Sequence, residues 1–478
     1  MSEVPSIYWF RSDLRLIDLP GLSAASAAGP VLACYIFDEL SENAWTPGSA
    51  SRWWLHRSLS ALSSELKERG GNLLLAQGRP ETVLAQLACE VGAQTVFCSR
   101  EYEPCSEDAE RRVAESLAEN GLRLKRYGGT LLWEPEQVRT RSDTPFKVFT
   151  PFWKCCLTLP EPRLAAGVAL RFWQGQSASE VSLKNLDLDC AGDEHARWAD
   201  YWSPGEKGAQ ESLRIFEKSG LDGYNEGRDF PDRAATSLLS PHLRYGEISA
   251  HRVYHYIKEA ARRRPDLQSE ADSYLRELGW REFSRHLLYH HPSLPEQPFR
   301  PEFAKFPWCG AKESLSAWQE GKTGYPIVDA GMRELRQTGY MHNRVRMITA
   351  SFLCKHLLID WRAGQRWFWN YLMDADLAAN AFNWQWVAGS GTDASPYFRI
   401  FSPMAQGTKF DKAGVYVKEW VPELSALPPR YVHSPWEAPA SVLDNAGICL
   451  GDNYPFPLVD HAAARRTALA AYDEVRAA

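Results

Sequence analysis

Apolar residues follow two rhythms along the chain. In the first part they gather in short runs of apolar, β-branched or aromatic residues, Ser6–Phe10, Val31–Phe37, Leu73–Ala76, Thr95–Cys98 and Leu122–Tyr127. Runs without polar alternation suit strands buried on both faces of a parallel sheet. Amphipathic stretches lie between them, for example Ser51–Glu68 and Glu81–Val91. This alternation predicts a doubly wound sheet with right-handed crossovers. From Trp133 to about Gly205 the periodicity fades and Pro, Ser and Gly accumulate, as in a connector. Beyond Glu211 the apolar spacing is three and four residues almost to the C-terminus. The expected fold is an α/β N-terminal domain over 1–132, an interdomain linker over 133–205 and a large all-α domain over 206–478, without internal repeats.

Composition narrows the class. With 478 residues, 44% of them hydrophobic and 24% charged, the chain has the balance of a soluble globular protein of two or three domains. No apolar run approaches the roughly 20 residues that span a bilayer, and the N-terminus lacks a basic segment followed by an apolar one. A cytoplasmic protein without a membrane partner is expected. The 10 cysteines form no CxxC pairs, only the adjacent Cys155 and Cys156, which argues for reduced thiols and against a zinc or other metal site. No GxGxxG follows the first strand, so an ordinary dinucleotide site there is not expected. The net charge of −6 means that any nucleic-acid surface must be a local patch. Arg228, Arg281, Arg285, Arg344, Arg399 and Lys409 are its candidates, although solvated or paired surface charge is the plainer reading of each.

The chemistry concentrates late in the chain. Five of the 19 tryptophans lie between Trp361 and Phe398, with two carboxylates, Asp374 and Asp376, two residues apart. Buried charge needs partners, and a core built only for packing would use aliphatics. The passage suits a large aromatic guest, although tryptophan-rich helices also occur in ordinary cores. Upstream, Met341-His342-Asn343-Arg344-Val345-Arg346-Met347 places amide, guanidinium and thioether groups on adjacent faces of one helix. With YWFRSDLRLID (Tyr8–Asp18) and FDKAGVYVKEWVPEL (Phe410–Leu424), these passages resemble the DNA photolyase/cryptochrome family over nearly the whole chain. Within it they resemble bacterial enzymes that repair cyclobutane pyrimidine dimers.

The resemblance implies FAD, active when fully reduced, as the cofactor. The hydroxyls and backbone N–H groups around Ala235–Leu243 suit a pyrophosphate at a helix start, although such clusters usually only cap helices. The resemblance makes Thr236, Ser237, Leu238, Leu239 and Ser240 the phosphate-binding segment, with Tyr224 also touching the cofactor. Asn380 matches the position facing flavin N5, Arg346 and Asp374 an ion pair beside the ring, and Ala375 and Asp376 neighbouring contacts. An amide at that position accepts from a reduced N5–H without offering a proton, where plant photoreceptors of the family carry Asp.

Glu277, Trp280 and Arg281 share one helix face at i, i+3 and i+4. A bare helix reading makes Trp280 core and Glu277–Arg281 a surface pair. The resemblance instead assigns Glu277 to the edge of the dimer, Trp280 and Trp386 to stacking on it once flipped out of the duplex, and Asn343 and Met347 to the rest of its pocket. HNRVRM lacks the second His expected for (6-4) photoproducts, which favours cyclobutane dimers. Trp384, Trp361 and Trp308 match an electron-transfer chain to the surface. Arg228, Glu277, Trp280, Arg281, Asn343, Arg344, Arg399, Gln406 and Lys409 are the implied DNA contacts.

A folate or deazaflavin antenna is a further implied chromophore. Phe37-Asp38, Arg52-Trp53-Trp54 and Tyr102-Glu103-Pro104-Cys105 mark its candidate neighbourhood, with Ser106 where an Asn is usual; the paired indoles could equally be packing. The function implied is light-driven repair of UV-damaged DNA by a monomer; a blue-light photoreceptor without repair activity is the alternative.

Overall fold

The computed structural model describes residues 3–38, 45–189, 198–393 and 398–477. Strands β1 (Ser6–Phe10), β2 (Val31–Phe37), β3 (Leu73–Gln77), β4 (Thr95–Ser99) and β5 (Arg123–Tyr127) form one sheet in the order β3-β2-β1-β4-β5. Every pairing is parallel. This is the sheet that the apolar runs predict, with three strand ends moved by one residue. All five residues of central β1 are buried, which is why its sequence shows no polar alternation. At the edge, β5 reads RLKRY and is largely exposed, its charges discouraging a further strand. Four helices, Pro20–Ala28, Ser49–Glu68, Pro80–Val91 and Pro104–Glu119, complete the crossovers. Leu84, Leu87, Val113 and Leu117 from the last two pack with Ile7, Trp9, Leu32 and Ile36 of the strands.

Strand order reverses between β1 and β4, the position where open α/β sheets usually bind ligands. Here that crevice holds the protein's own charges. Arg11, just past β1, donates to Glu110 at 2.7 Å, stands 3.5 Å from a Glu101 oxygen, and has its guanidinium 4.5 Å from the Trp9 ring centre.

The chain forms two compact units that interleave in sequence. The first comprises Met1–Ala191, Trp202–Asp222 and Ser237–Pro292. The helices Glu206–Ser219, Ala250–Arg263 and Gln268–His290 therefore group with the sheet. Much of the stretch read as a connector is fastened to the sheet by backbone bonds. Val31 N donates to Arg171 O at 2.8 Å, Trp173 N to Val31 O at 3.0 Å, and Val181 N to Leu75 O at 2.8 Å. Phe149–Cys156 within it is helical.

The second unit comprises Gly192–Tyr201, Gly223–Thr236 and Ser293–Ala478, and its principal helices are Pro326–Thr338, Asn343–Ser351, Trp361–Tyr371, Leu377–Ala388 and His461–Ala477. Asp360 caps the Trp361–Tyr371 helix by accepting from Arg362 N at 2.9 Å, and Asp376 caps Leu377–Ala388 by accepting from Ala379 N at 2.8 Å. These two helices approach closely at Gly364, where a Cβ would fall 2.1 Å from Trp384 Cη2. Among the described residues, no helix is long and apolar enough to cross a membrane, and no group of three or more His, Cys, Asp or Glu side chains is placed to hold a metal ion.

Candidate functional site

In the second unit the two acidic residues of the MDAD stretch take different work. Asp374 receives a bidentate pair from Arg346, at 3.1 and 2.9 Å, and Arg346 Nε donates to Met341 O at 2.7 Å. Burial opposes the Arg346 charge, but Asp374 outweighs it and holds the guanidinium protonated. Its centre lies 5.4 Å from the Tyr340 ring, whose hydroxyl bonds the Thr236 side chain. Asp376, buried, is the helix cap, and Ala375 between them is buried. Asn343 and Met347, one turn apart on the same helix as Arg346, are exposed and half-buried. His342 caps that helix by accepting from Arg344 N at 3.2 Å. Burial and the nearby Arg346 lower its pKa to about 4, so it is the neutral acceptor this cap requires.

Asn380 is 8% exposed, and its Nδ2 donates to the Gln365 carbonyl at 3.0 Å. The reverse amide orientation would set two acceptors against each other, so the orientation is fixed. The remaining Oδ1 has no partner among the described residues and can offer a ligand only an acceptor. A reduced flavin presents a donor at N5, so this side chain fits the cofactor that the sequence implies. Trp384 is buried edge-on to Phe368, ring centres 5.0 Å apart, and to Trp318 at 6.3 Å. Trp361 is buried at the start of the helix that Trp384 abuts through Gly364. Trp308, half-buried, lies 4.3 Å from the Phe306 ring; the following Cys309 and Gly310 both donate to Leu358 O, three residues before Trp361. Trp386 is half-buried and its Nε1 donates to Asp393 O at 3.1 Å.

Two of the basic candidates of this unit, Arg344 and Lys409, meet at Phe410. The Arg344 guanidinium lies 4.4 Å and the Lys409 ammonium 4.9 Å from its ring centre, and Arg344 also donates to Asp229 at 2.8 Å. Arg228 stands over the Tyr224 ring at 5.4 Å, Arg399 is exposed, and Gln406 is half-buried with its Oε1 unpaired.

In the first unit, Ser237 accepts from Leu239 N at 3.3 Å and from Tyr274 Oη at 2.9 Å. Leu238 is exposed with φ of 52°, a strained left-handed conformation for leucine. Ser240 opens the short Ser240–Arg244 helix. Glu277 and Trp280 are both half-buried on the Gln268–His290 helix, and one face of Trp280 is covered by Phe149, ring centres 3.6 Å apart. Arg281, half-buried, donates to Glu282 at 2.6 Å and to Thr130 O at 3.0 Å. Glu282, buried, also accepts from Leu132 N at 2.7 Å, and its burial raises the cost of leaving it unpaired. Trp53 and Trp54, expected beside an antenna, are interior. Trp54 stacks on Tyr245 at 5.9 Å and donates to Glu247 at 3.0 Å.

Three contributors escaped the sequence reading. Glu334, not singled out from the sequence, is buried and bonded by Tyr416 Oη at 2.5 Å, and burial pushes its carboxyl up to about 7. Gln365, fully buried, orients Asn380 through its backbone. Phe149 lay in the stretch without periodicity. None carries a local pattern; each is defined by a partner distant in sequence.

The chain matches known proteins over its whole length. Residues 6–167 match the DNA photolyase family and residues 274–474 the FAD binding domain of DNA photolyase. It is 47% identical to a deoxyribodipyrimidine photo-lyase of Agrobacterium fabrum, covering 100% of this chain and 99% of that protein. It is 38% identical to cryptochrome-1 of Arabidopsis thaliana over 96% of this chain and 69% of that one. The structure is similar to that of a bacterial class III photolyase from Agrobacterium tumefaciens, with a TM-score of 0.96 over 100% of this chain and 99% of the other, at 47% identity.

Proposed function

The chain belongs to the DNA photolyase family, and on that premise we propose that it is a light-driven lyase splitting cyclobutane pyrimidine dimers in DNA. The observation that carries this reading furthest is Asn380, a buried amide whose orientation is fixed by its Nδ2 bond to the Gln365 carbonyl and whose remaining oxygen is an acceptor. FAD, when bound and reduced, would lend the dimer a photoexcited electron for ring opening and take it back once the two pyrimidines are restored, with no net redox change.

The protein's own groups do the rest. Arg346, held by Asp374, is assigned to stabilise negative charge on the reduced ring. Thr236 through Ser240 and Tyr224 are assigned to the phosphates and the remainder of the cofactor. Glu277 is assigned to the proton-sharing contact with the dimer, Trp280 and Trp386 to its rings, and Asn343 and Met347 to its flanks. Arg228, Arg344, Arg399, Gln406 and Lys409 are the groups for the DNA backbone, where positive charge positions without reading sequence. Trp384, Trp361 and Trp308 are the oxidisable side chains from which an electron can be drawn inward.

Similarity to a plant cryptochrome supports a second reading, a photoreceptor without repair. Anaerobic illumination of the reduced protein with an oligothymidine carrying cyclobutane dimers separates the two. A light-dependent recovery of thymine absorbance, absent in the dark and with (6-4) products, is the expected result. No recovery from a protein that holds reduced FAD would overturn the repair reading in favour of the photoreceptor.

A further inference from the structure

In the first unit three rings stand in a parallel ladder. Phe149 and Trp280 have centres 3.6 Å apart and planes 11° apart; Phe149 and Trp153 are separated by 6.4 Å and 9°. Phe149 and Trp153 lie four residues apart on the Phe149–Cys156 helix, one face of it. Trp280 comes from the Gln268–His290 helix. The ladder is braced from the side. Phe283 meets Phe149 at 5.8 Å and 71° and Trp280 at 6.0 Å and 71°, and Trp133 meets Trp153 at 6.0 Å and 77°. Gly279 makes the approach of the two helices geometrically allowed: a Cβ there would fall 2.6 Å from Trp153 Cε3. Phe149 is buried at 4% exposure, whereas Trp280 stays half-buried.

We propose that Phe149 is a positioning residue, which fixes the plane of Trp280 so that a flipped-out pyrimidine ring meets an indole already oriented to stack. The inference rests on the repair reading above. A side chain held on one face and one edge has little rotamer freedom left to lose when a guest arrives, and that saving appears as affinity. A guest ring must also use the indole face turned away from Phe149. Phe149 itself touches neither dimer nor cofactor in this scheme, so binding of damaged DNA depends on it and the light-driven step does not.

The test uses the full flavin-loaded protein and variants F149L, F149M and F149Y. Leucine and methionine fill volume without a ring; tyrosine keeps the ring, and methionine is the second variant should leucine fail to fold. Dissociation constants are measured for a duplex with one cyclobutane dimer and for the same duplex undamaged, along with repair per absorbed photon at saturating substrate. F149L and F149M should raise the Kd for the damaged duplex roughly 3- to 10-fold, leave the undamaged duplex and the saturating yield unchanged, and F149Y should restore wild-type affinity. Unchanged Kd in the ringless variants, or a fall in saturating yield at unchanged Kd, would overturn the proposal. A wild-type protein with no preference for the damaged duplex and no repair would instead overturn the repair reading itself.

Discussion

Replacing Glu334 with glutamine tests how a buried acid next to the Arg346 region governs stability. Glu334 is 8% exposed, and its carboxylate accepts from Tyr416 Oη at 2.5 Å and from the His342 backbone. Burial pushes the carboxyl from an ordinary 4.5 up to about 7; the two hydrogen bonds and the charge of Arg346 pull it down without cancelling that rise. The folded state therefore holds this proton more tightly than the unfolded chain does. Its contribution to stability is complete below about pH 4.5 and is lost as the pH rises through about 7. The difference corresponds to about 3 kcal/mol. Glutamine is neutral throughout, can accept from the His342 N–H and can donate to Tyr416 Oη, so it removes the titration while keeping both contacts. Wild type and E334Q should have similar stability near about pH 5, and E334Q should be the more stable by about 1–3 kcal/mol near about pH 8. Denaturant unfolding across that range gives the difference curve. Parallel curves, or an E334Q less stable at the alkaline end, would refute the reasoning, because the carboxylate would then be ionised and well satisfied in the fold.

Three other perturbations have signs set by the structure. Gly364→Ala should gain up to about 1 kcal/mol of helix propensity, yet the new Cβ collides with Trp384 Cη2 at 2.1 Å and Leu353 Cδ2 at 2.6 Å. Overpacking costs about 1–3 kcal/mol, so net destabilisation in a melt is expected, with slowed photoreduction as Trp384 is displaced. Asn380→Asp would set a carboxylate against the Gln365 carbonyl, so its folded pKa should be raised; the variant should be near wild type in acid and lose about 1–3 kcal/mol as the pH rises through that pKa, which unfolding at several pH values would show. Arg344→Ala and Lys409→Ala should each weaken damaged and undamaged DNA alike and reduce the slope of log affinity against log salt by about 1, read from titrations at a series of salt concentrations.

What the sequence reveals depends on whether a feature is local. β1 is buried on both faces, so SIYWF needs no alternation and its strand character shows directly. The stretch from Trp133 onward hid its structure for the opposite reason. Its attachment runs through main-chain bonds such as Trp173 N to Val31 O, which any side chain can support. Site residues divide along the same line. Arg346 and Asp374 lie 28 positions apart and Asn380 and Gln365 15 apart, so no local pattern pairs them; resemblance to known proteins paired the first two, and the fold alone the second. Arg281 shows what a helix face leaves out: spacing puts it with Glu277 and Trp280, and the fold adds the adjacent Glu282 and the Thr130 carbonyl, 151 positions away, as acceptors for its guanidinium. Identical reasoning hid Glu334, whose partner Tyr416 is 82 residues distant. A charged side chain in the sequence thus says that a partner is needed; the fold decides which partner, and with it whether the charge serves DNA, the cofactor or the core.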